Sequence, residues 1–241
     1  MCLLQINLFG GVEVMQVSGE AVLIPSRKAA MLLGYIALNS PHGNPRGKLA
    51  ALLWDGHYGA RASLRQALLT LHRVLPQFVD VISADRDDIR VCPNAVNTDV
   101  GEFERLLNEG GPERMARAAA LYRGELLDGG SSTSCAFEAW LAAERQRLRM
   151  LAMRAITGLL DVGGRERTDI AIAFAQRILA VDPLQEGVHR ILMRCYAQQG
   201  RRVDALRQYD LCRSVLWREV RVMPEGETEL LQREIRRMFR T

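Results

Sequence analysis

The spacing of hydrophobic and polar residues changes along this 241-residue chain. Residues 3–24 alternate apolar and polar side chains, with breaks at Gly10-Gly11 and at Ser18-Gly19-Glu20, which predicts short strands. From Ser26 to about residue 75, apolar residues recur at helical spacing. The segments DVISAD and DIRVCP follow. They predict two short strands joined by a turn around Arg86–Asp88, which is a β-hairpin.

Three helices are predicted between these strand regions. The first begins after Ser26, the second contains Leu49–Trp54, and the third runs from Ala60 to Leu75. A turn at Asp55–Gly59 separates the last two. Strands, three helices and a hairpin in this order predict a winged helix over residues 1–97, in which the third helix enters the major groove of DNA and the hairpin reaches the neighbouring backbone or minor groove.

Beyond Thr98 the pattern is almost entirely helical. Turn residues such as Gly110-Gly111, Asp182-Pro183 and Gly200 interrupt it. This predicts an all-α domain over residues 98–241 and a mainly α fold for the whole chain. The expected helices cover residues 99–108, 112–127, 135–162, 167–181, 184–199, 202–217 and 225–239.

An internal repeat lies within this helical region. Ala171 and Ala205 are 34 residues apart, which is the tetratricopeptide (TPR) period. Small residues at these positions would let two helices approach closely, while Gly200 would form the turn between helices. The further spaced positions are Leu192, Tyr196, Tyr209 and the preceding Pro183. We therefore predict TPR-like packing, with an ordinary helical bundle as the alternative.

The composition favours a folded protein of the reducing cytosol. Five cysteines occur without a CxxC or CxxH pair, so free thiols are expected instead of disulfides or a zinc site. The N-terminus does not resemble a signal peptide, and no run is long enough to span a membrane. The net charge of +4 is compatible with a polyanionic partner, but residues 1–97 hold nine Lys or Arg against seven Asp or Glu. A DNA-binding face must therefore come from local clustering.

Enzymatic signals are absent from the pattern. The stretch Gly43–Lys48 resembles a phosphate-binding loop, but it has three residues between its glycines instead of four, and Leu49 follows the lysine. The histidines do not have the spacing of metal ligands. No enzymatic activity, cofactor or metal is expected.

Several segments together resemble the Streptomyces antibiotic regulatory protein family. PSRKAAMLLGYIAL, LAALLWDG, ARASLRQALLTLHRVL and ISADRDDIRVCPNAVNTDVGEFERLL are similar to its DNA-binding half, which is itself similar to that of OmpR-type response regulators. LYRGELLDG, AFEAWLAAERQRLR and LAVDPLQEGVHRILMRCYAQQGRRVDALRQYD are similar to the bacterial transcriptional activation domain that follows in that family.

The resemblance implies a sequence-specific transcriptional activator. Such a protein binds repeats of double-stranded DNA near a promoter and recruits RNA polymerase, and a homodimer on the repeats would fit this mode of binding. It would lie in the bacterial cytoplasm at the nucleoid, without a membrane partner. The alternative is a TPR-like interaction scaffold whose winged helix no longer binds DNA.

The third helix carries the residues expected to read bases. On a helical wheel Gln66, Leu69, Thr70 and Arg73 lie opposite the apolar stripe, and Arg65 lies beside them. Gln can pair with adenine, Arg with guanine, and Leu can contact the thymine methyl group. The alternative for such a face is exposure to solvent alone.

Other basic residues are expected to contact phosphate. Arg61 and His72 flank the apolar stripe, and two pairs of basic residues open the first and second helices, where amide groups also favour anions. In the hairpin, arginines could reach the minor groove, although Asp85, Asp87 and Asp88 reduce the local charge. The basic residues of the helix starts and the hairpin are Arg27, Lys28, Arg46, Lys48, Arg86 and Arg90.

Overall fold

The computed structural model describes residues 3–55, 58–75, 78–92, 94–129, 134–162 and 164–238. The chain forms two compact units, each built from two separate stretches. The mixed unit comprises Met1–Arg105 and Gly124–Arg147, and the helical unit comprises Leu106–Arg123 and Leu148–Thr241. These contact-based units do not test the two continuous domains expected from the sequence, residues 1–97 and 98–241, which remain a prediction.

The mixed unit contains the strands and helices that the N-terminal pattern predicts. The order of strands, three helices and hairpin is confirmed, and the predicted turn at Asp55–Gly59 includes Gly56 and His57, which lie outside the described residues. The elements are β1 Leu4–Asn7, β2 Glu13–Gln16, β3 Ala21–Val22, α1 Arg27–Leu38, β4 Asn44–Pro45, α2 Arg46–Trp54, α3 Ala60–Val74, α4 Phe78–Val81, β5 Ile82–Ala84, β6 Asp88–Val91, β7 Val96–Thr98 and the start of α5 Asp99–Glu109.

Two small sheets frame the three helices. The first has the strand order β3-β2-β1-β7 and the second has the order β4-β6-β5. Strand β1 is antiparallel to β2 and parallel to β7, with Leu4 opposite Val96. Strand β7 was not expected from the sequence, because a three-residue strand carries almost no pattern of its own and forms here only by pairing with β1. A short helix, α4, also replaces the start of the predicted strand DVISAD, since Asp80 and Val81 are helical.

The end of β1 is where distant parts of the mixed unit meet. The backbone N–H groups of Leu8 and Phe9 donate to the two oxygens of the Asp99 carboxylate, at 2.7 and 3.0 Å. Asp99 is buried and begins α5. On the same segment, the Leu8 carbonyl accepts from the Leu127 amide at 2.8 Å, and the Gly10 amide donates to the Glu125 carbonyl. The backbone groups just after β1 are thus hydrogen-bonded to residues that lie about a hundred positions later in the sequence.

Helix α1 is buried over most of its circumference. Its residues from Met31 to Ala37 are all buried, although a surface helix would expose one face. The additional cover comes from the second stretch of the mixed unit. The Leu127 side chain lies so close to Gly34 that a Cβ there would approach it to 2.8 Å, and the Trp140 ring packs edge-on against Tyr35 at 4.6 Å between centroids.

One predicted helix ends earlier than expected. Helix α6 runs from Pro112 to Leu121, whereas the sequence predicted a helix over 112–127. The residues that follow leave the helix because Leu126 forms a bridge with Phe9 and Arg145 donates to the Leu126 carbonyl from two guanidinium nitrogens. These long-range bonds replace the helical bonds that the local pattern would allow.

The helical unit confirms the all-α expectation for the C-terminal part of the chain. Helix α7 begins in the mixed unit and contributes its remaining turns to the helical unit. Each of the helices α8, α9 and α10 packs on the helix that follows it. The elements are α6 and α7 Cys135–Val162, α8 Arg165–Val181, α9 Glu186–Gln198, α10 Arg202–Val220 and α11 Gly226–Met238.

The repeat residues occupy the positions that TPR-like packing requires. Ala171 and Ala205 are fully buried, on α8 and α10. Gly200 forms the turn before α10 with a φ of 73°, a left-handed conformation that favours glycine. The Tyr196 hydroxyl accepts from Gln176 at 3.1 Å, so α9 is bonded to α8. The helices are therefore packed as a repeat in which small residues permit close approach.

His189 is a buried polar residue that connects three parts of the helical unit. Its Nε2 lies 3.0 Å from the Pro183 carbonyl, and its Nδ1 lies 2.6 Å from the Gln208 amide nitrogen. Because a carbonyl can only accept, Nε2 carries the proton and Nδ1 accepts from Gln208. Burial lowers the pKa of His189 below its ordinary value, with the Pro183 carbonyl and Glu186 opposing the shift. The neutral ring is thus the form that the fold stabilises.

We predict that Asp99→Asn destabilises the protein by about 1–3 kcal/mol. An asparagine can accept from only one of the two amides and directs its own NH₂ group towards the other. Urea unfolding followed by circular dichroism measures the change. Asp80→Asn, at an exposed position, is the control, and equal unfolding free energies for the two variants would contradict the role of Asp99.

We also predict that His189 makes stability depend on pH. A histidine pKa that is lowered on folding contributes stability that is complete above about pH 6.5, the ordinary value, and is lost as pH falls below it, because the unfolded chain binds the proton first. Between pH 7 and 5, His189→Gln should therefore show a shallower decline in unfolding free energy than the unaltered chain, by up to about 1.4 kcal/mol per pH unit. Equal slopes for the His189→Gln variant and the unaltered chain would refute the prediction.

Candidate nucleic-acid interface

Helix α3 separates an apolar face from a polar one. Leu64, Ala67, Leu68 and Leu71 are buried, as the predicted stripe requires. Thr70 is half-buried, and its hydroxyl donates to the Gln66 carbonyl at 3.0 Å. The remaining predicted residues of the helix are exposed: Arg61, Arg65, Gln66, Leu69, His72 and Arg73.

The arginines of this face are not paired with acidic side chains. Within the described residues, none of Arg61, Arg65 and Arg73 makes an ion pair or a side-chain hydrogen bond. Leu69 is 44% exposed between them. His72 is placed differently, because its ring lies against that of Phe78 at 5.1 Å between centroids. The outer face of α3 thus presents guanidinium groups, an amide and an exposed apolar side chain together.

The C-terminal end of α2 is hydrogen-bonded to a residue of α1 and to the residue just before α7. The Lys28 ammonium donates to the Leu53 carbonyl at 2.7 Å and lies 5.9 Å from the centre of the Trp54 ring. Buried Ser134, just before α7, donates to the Leu52 carbonyl and lies 3.0 Å from Asp55. These bonds satisfy carbonyls that a helix end leaves open. They therefore fix the point at which the chain leaves α2 for α3.

Lys28 is consequently engaged inside the mixed unit. Burial lowers the pKa of its ammonium group, and the charges of Asp55 and Glu138 oppose that shift. Arg27, the first residue of α1, is instead exposed. The two neighbouring basic residues, which look equivalent in the sequence, thus differ in their surroundings.

The start of α2 is bonded to the hairpin formed by β5 and β6. The Arg46 amide donates to the Asp87 carbonyl, and its side-chain Nε donates to the Asp85 carbonyl at 2.7 Å. The helix has Pro45 at its N-cap and no side-chain cap, in agreement with the absence of a serine there in the sequence. Lys48, in its first turn, is exposed. The first amides of α2 therefore lie beside an exposed cation.

The hairpin carries acidic side chains beside its arginines. Arg90 lies 3.5 Å from Asp85 and 3.9 Å from Asp88, in contacts that are open to solvent. Arg86 is exposed in the turn. Since solvent-exposed ion pairs of this kind are weak, Arg90 can exchange its carboxylates for another anion at small cost. With two arginines and three aspartates, the hairpin itself has a net charge of −1.

The stretch that resembles a phosphate-binding loop is part of the second sheet. Asn44 is buried in β4, and its amide donates to the Ile89 carbonyl at 3.2 Å. A Cβ at Gly43 would meet the Asp88 carboxylate. The Asp88 carboxylate thus occupies the space beside Gly43, and Asn44 pairs with the hairpin strand, which gives this stretch a structural role.

Sequence reasoning missed two residues of this region. Ala62 is exposed on α3 in line with Gln66, Leu69 and Arg73, and its spacing of four residues from Gln66 was the available signal. Ser134 had no such signal, because its partners in α2 are about eighty residues away.

The described residues offer no metal centre and no reactive thiol pair. They contain no group of three His, Cys, Asp or Glu placed to hold a metal ion. Burial raises the pKa of Cys195 to about 11 and that of Cys212 to about 12, so both thiols stay protonated at neutral pH. Cys2 lies outside the described residues. Among the described helices, none is both long and apolar enough to cross a membrane.

Comparison with solved structures identifies a protein of similar fold. The chain is similar to Mycobacterium tuberculosis EmbR, solved in complex with a low-affinity phosphopeptide, with a TM-score of 0.68 and 20% sequence identity. The match covers 99% of this chain and 66% of the EmbR chain, so this chain spans slightly less than two thirds of that protein. At this identity the likeness shows the fold. No curated protein matches the sequence.

A family model gives the decisive match. The model of the bacterial transcriptional activator domain matches residues 95–236, which is more than half of the chain. This segment contains the repeat and the end of the winged helix, in the order that the sequence resemblance implies. The chain therefore belongs to the bacterial transcriptional activator domain family, in agreement with the resemblance to the Streptomyces antibiotic regulatory protein family.

Proposed function

We propose that this protein is a sequence-specific DNA-binding activator in which α3 reads bases in the major groove. The observation that carries the proposal is the outer face of α3, where Arg65, Gln66, Leu69 and Arg73 are exposed and the arginines are free of acidic partners in the described structure. Unpaired guanidinium groups can bind guanine edges without first breaking an ion pair.

The same arrangement suggests how the protein holds the DNA backbone. The start of α2 next to Lys48 suits a phosphate, because the helix has no side-chain cap there and a helix start beside a cation favours an anion. Arg27, Arg61 and Arg46 extend the basic surface around α3, and Thr70 supports Gln66. Lys28 is left out of the proposed surface because its ammonium group caps α2.

The hairpin would act as a wing with a minor part in binding. Arg86 is its exposed cation, while Arg90 would have to leave Asp85 and Asp88 to reach a phosphate or the minor groove. His72 packs on Phe78 and would contact phosphate from the flank of α3. We therefore assign most of the sequence preference to α3.

The helical unit would supply activation by binding a partner. TPR-like arrays present extended surfaces for other proteins, and the family to which the chain belongs is one of transcriptional activators. The expected partner is RNA polymerase, and repeats in the DNA would be occupied by a homodimer in the bacterial cytoplasm. The competing proposal is a TPR-like scaffold without DNA binding.

Arg73→Ala tests the role of α3. With the full chain and DNA from upstream of its own gene, the substitution should weaken binding by about 1–3 kcal/mol and relax the preference at one base pair. Fluorescence anisotropy at a stated salt concentration, with a set of single-base variants of the site, measures both effects.

Arg177→Ala is the matched control, because Arg177 is an exposed arginine on α8. It should leave affinity unchanged. A uniform loss across all DNA variants would make Arg73 a phosphate ligand. Absence of binding by the unaltered chain would favour the scaffold.

Ala205→Leu tests the role of the helical unit. A larger side chain at this fully buried position should overpack α9 against α10 and cost about 1–3 kcal/mol. Transcript yield in a purified system should fall more than operator affinity, which is measured in parallel. Ala180→Leu, at an exposed position of α8, should leave both unchanged. Equal losses of affinity and transcription would remove activation from the helical unit.

A further inference from the structure

A basic groove lies between α10 and α11 of the helical unit. It has a volume of about 560 Å³. Five arginines and two acidic residues line it, which gives an excess of three positive charges. The arginines are Arg202, Arg213, Arg233, Arg236 and Arg237.

Most of these arginines have no acidic partner in the described structure. Arg213, Arg233, Arg236 and Arg237 make neither an ion pair nor a side-chain hydrogen bond there. By contrast, arginines elsewhere on α10 are paired, since Arg207 lies 3.8 Å from Asp204 and Arg218 lies 2.8 Å from Glu219. The unpaired arginines of the helix pair are thus concentrated in the groove.

The carboxylates of the groove do not neutralise this charge. Glu229 accepts a hydrogen bond from the hydroxyl of buried Tyr209. Burial, together with Glu229, raises the pKa of Tyr209 to about 12, so the hydroxyl keeps its proton at neutral pH. Asp210 is the other acidic residue of the lining. Glu229 is thus engaged by Tyr209, and the lining keeps its excess of positive charge.

Helix termini explain only part of the cluster. Arg236 and Arg237 lie in the last turn of α11, where cations complement the helix dipole. Arg213 and Arg233 lie within the helices, where the dipole gives no such advantage. Their position opposite each other across one groove therefore requires a different explanation.

We propose that this groove binds a short acidic peptide segment of a partner protein. The cluster extends from Glu229 to Arg237, about 12 Å along α11, which an extended peptide spans with about four residues. Arginine forks bind carboxylates through paired hydrogen bonds. Leu206 and Tyr209 add apolar surface to the lining, which suits the side chains of a peptide better than the phosphates of duplex DNA.

The test uses the full chain and a fluorescein-labelled short peptide of Asp, Glu and Leu. Anisotropy titrations should give saturable binding that weakens with salt, and the matched peptide of Asn, Gln and Leu should not bind. Arg213→Gln with Arg233→Gln should weaken binding of the acidic peptide by about tenfold or more, because two charge-assisted contacts are lost. The matched control, Arg207→Gln with Arg218→Gln, removes the same charge from α10 outside the groove and should change the affinity by less than about threefold.

Charge reversal provides a second measurement. The double variant Arg213→Glu with Arg233→Glu should bind a labelled peptide of Lys and Leu that the unaltered chain does not bind. Equal losses in the groove and control variants would overturn the proposal, as would unchanged affinity in the groove variant. A larger loss of affinity for a non-cognate DNA duplex than for the acidic peptide would also overturn it and assign the groove to nucleic acid. Because these titrations contain no operator, their outcome is separate from that of the α3 experiments.

Discussion

The mixed unit depends on one pair of hydrogen bonds, in which the Leu8 and Phe9 amides donate to the carboxylate of Asp99. It joins the end of β1 to the start of α5, directly after the parallel pairing of β1 with β7. Two further backbone groups of the same short segment, the Leu8 carbonyl and the Gly10 amide, are hydrogen-bonded to the Leu127 amide and the Glu125 carbonyl. A buried strand end cannot leave amides or carbonyls unsatisfied without a large cost, so these partners are required together. The N-terminal sheet and the later stretch therefore form one folding unit.

The second stretch of the mixed unit, Gly124–Arg147, also determines the surroundings of the proposed DNA-reading helix. Besides its bonds to the end of β1, this stretch covers α1 through Leu127 and Trp140. Ser134 then bonds to the end of α2, next to the turn that leads into α3. Helix α3 itself contributes only its apolar face to the core. Support from behind and an uncovered outer face are what a helix needs to enter a groove without rearrangement.

Charge is distributed differently on the two units. In the mixed unit, Arg90 of the hairpin lies near Asp85 and Asp88, while Arg61, Arg65 and Arg73 on α3 make no ion pair within the described residues. In the helical unit, Arg207 and Arg218 of α10 are ion-paired. Four groove arginines make no ion pair within the part of the chain that the structure describes: Arg213, Arg233, Arg236 and Arg237. Since burial and pairing both reduce the capacity of a cation to attract an anion, the unpaired clusters mark one candidate surface on each unit.

The sequence by itself determined the three helices between the strand regions, the hairpin, the helical nature of the C-terminal part and the polar face of α3, because these follow from local periodicity. The 34-residue spacing of Ala171 and Ala205 is likewise visible in the sequence alone. Only the tertiary structure decided β7, the early end of α6 at Leu121 and the engagement of Lys28 and Ser134 with α2. These features depend on partners between about twenty and a hundred residues away. No local pattern encodes such pairings, because a short strand or a single side chain is stabilised by the backbone groups it meets after the chain has folded.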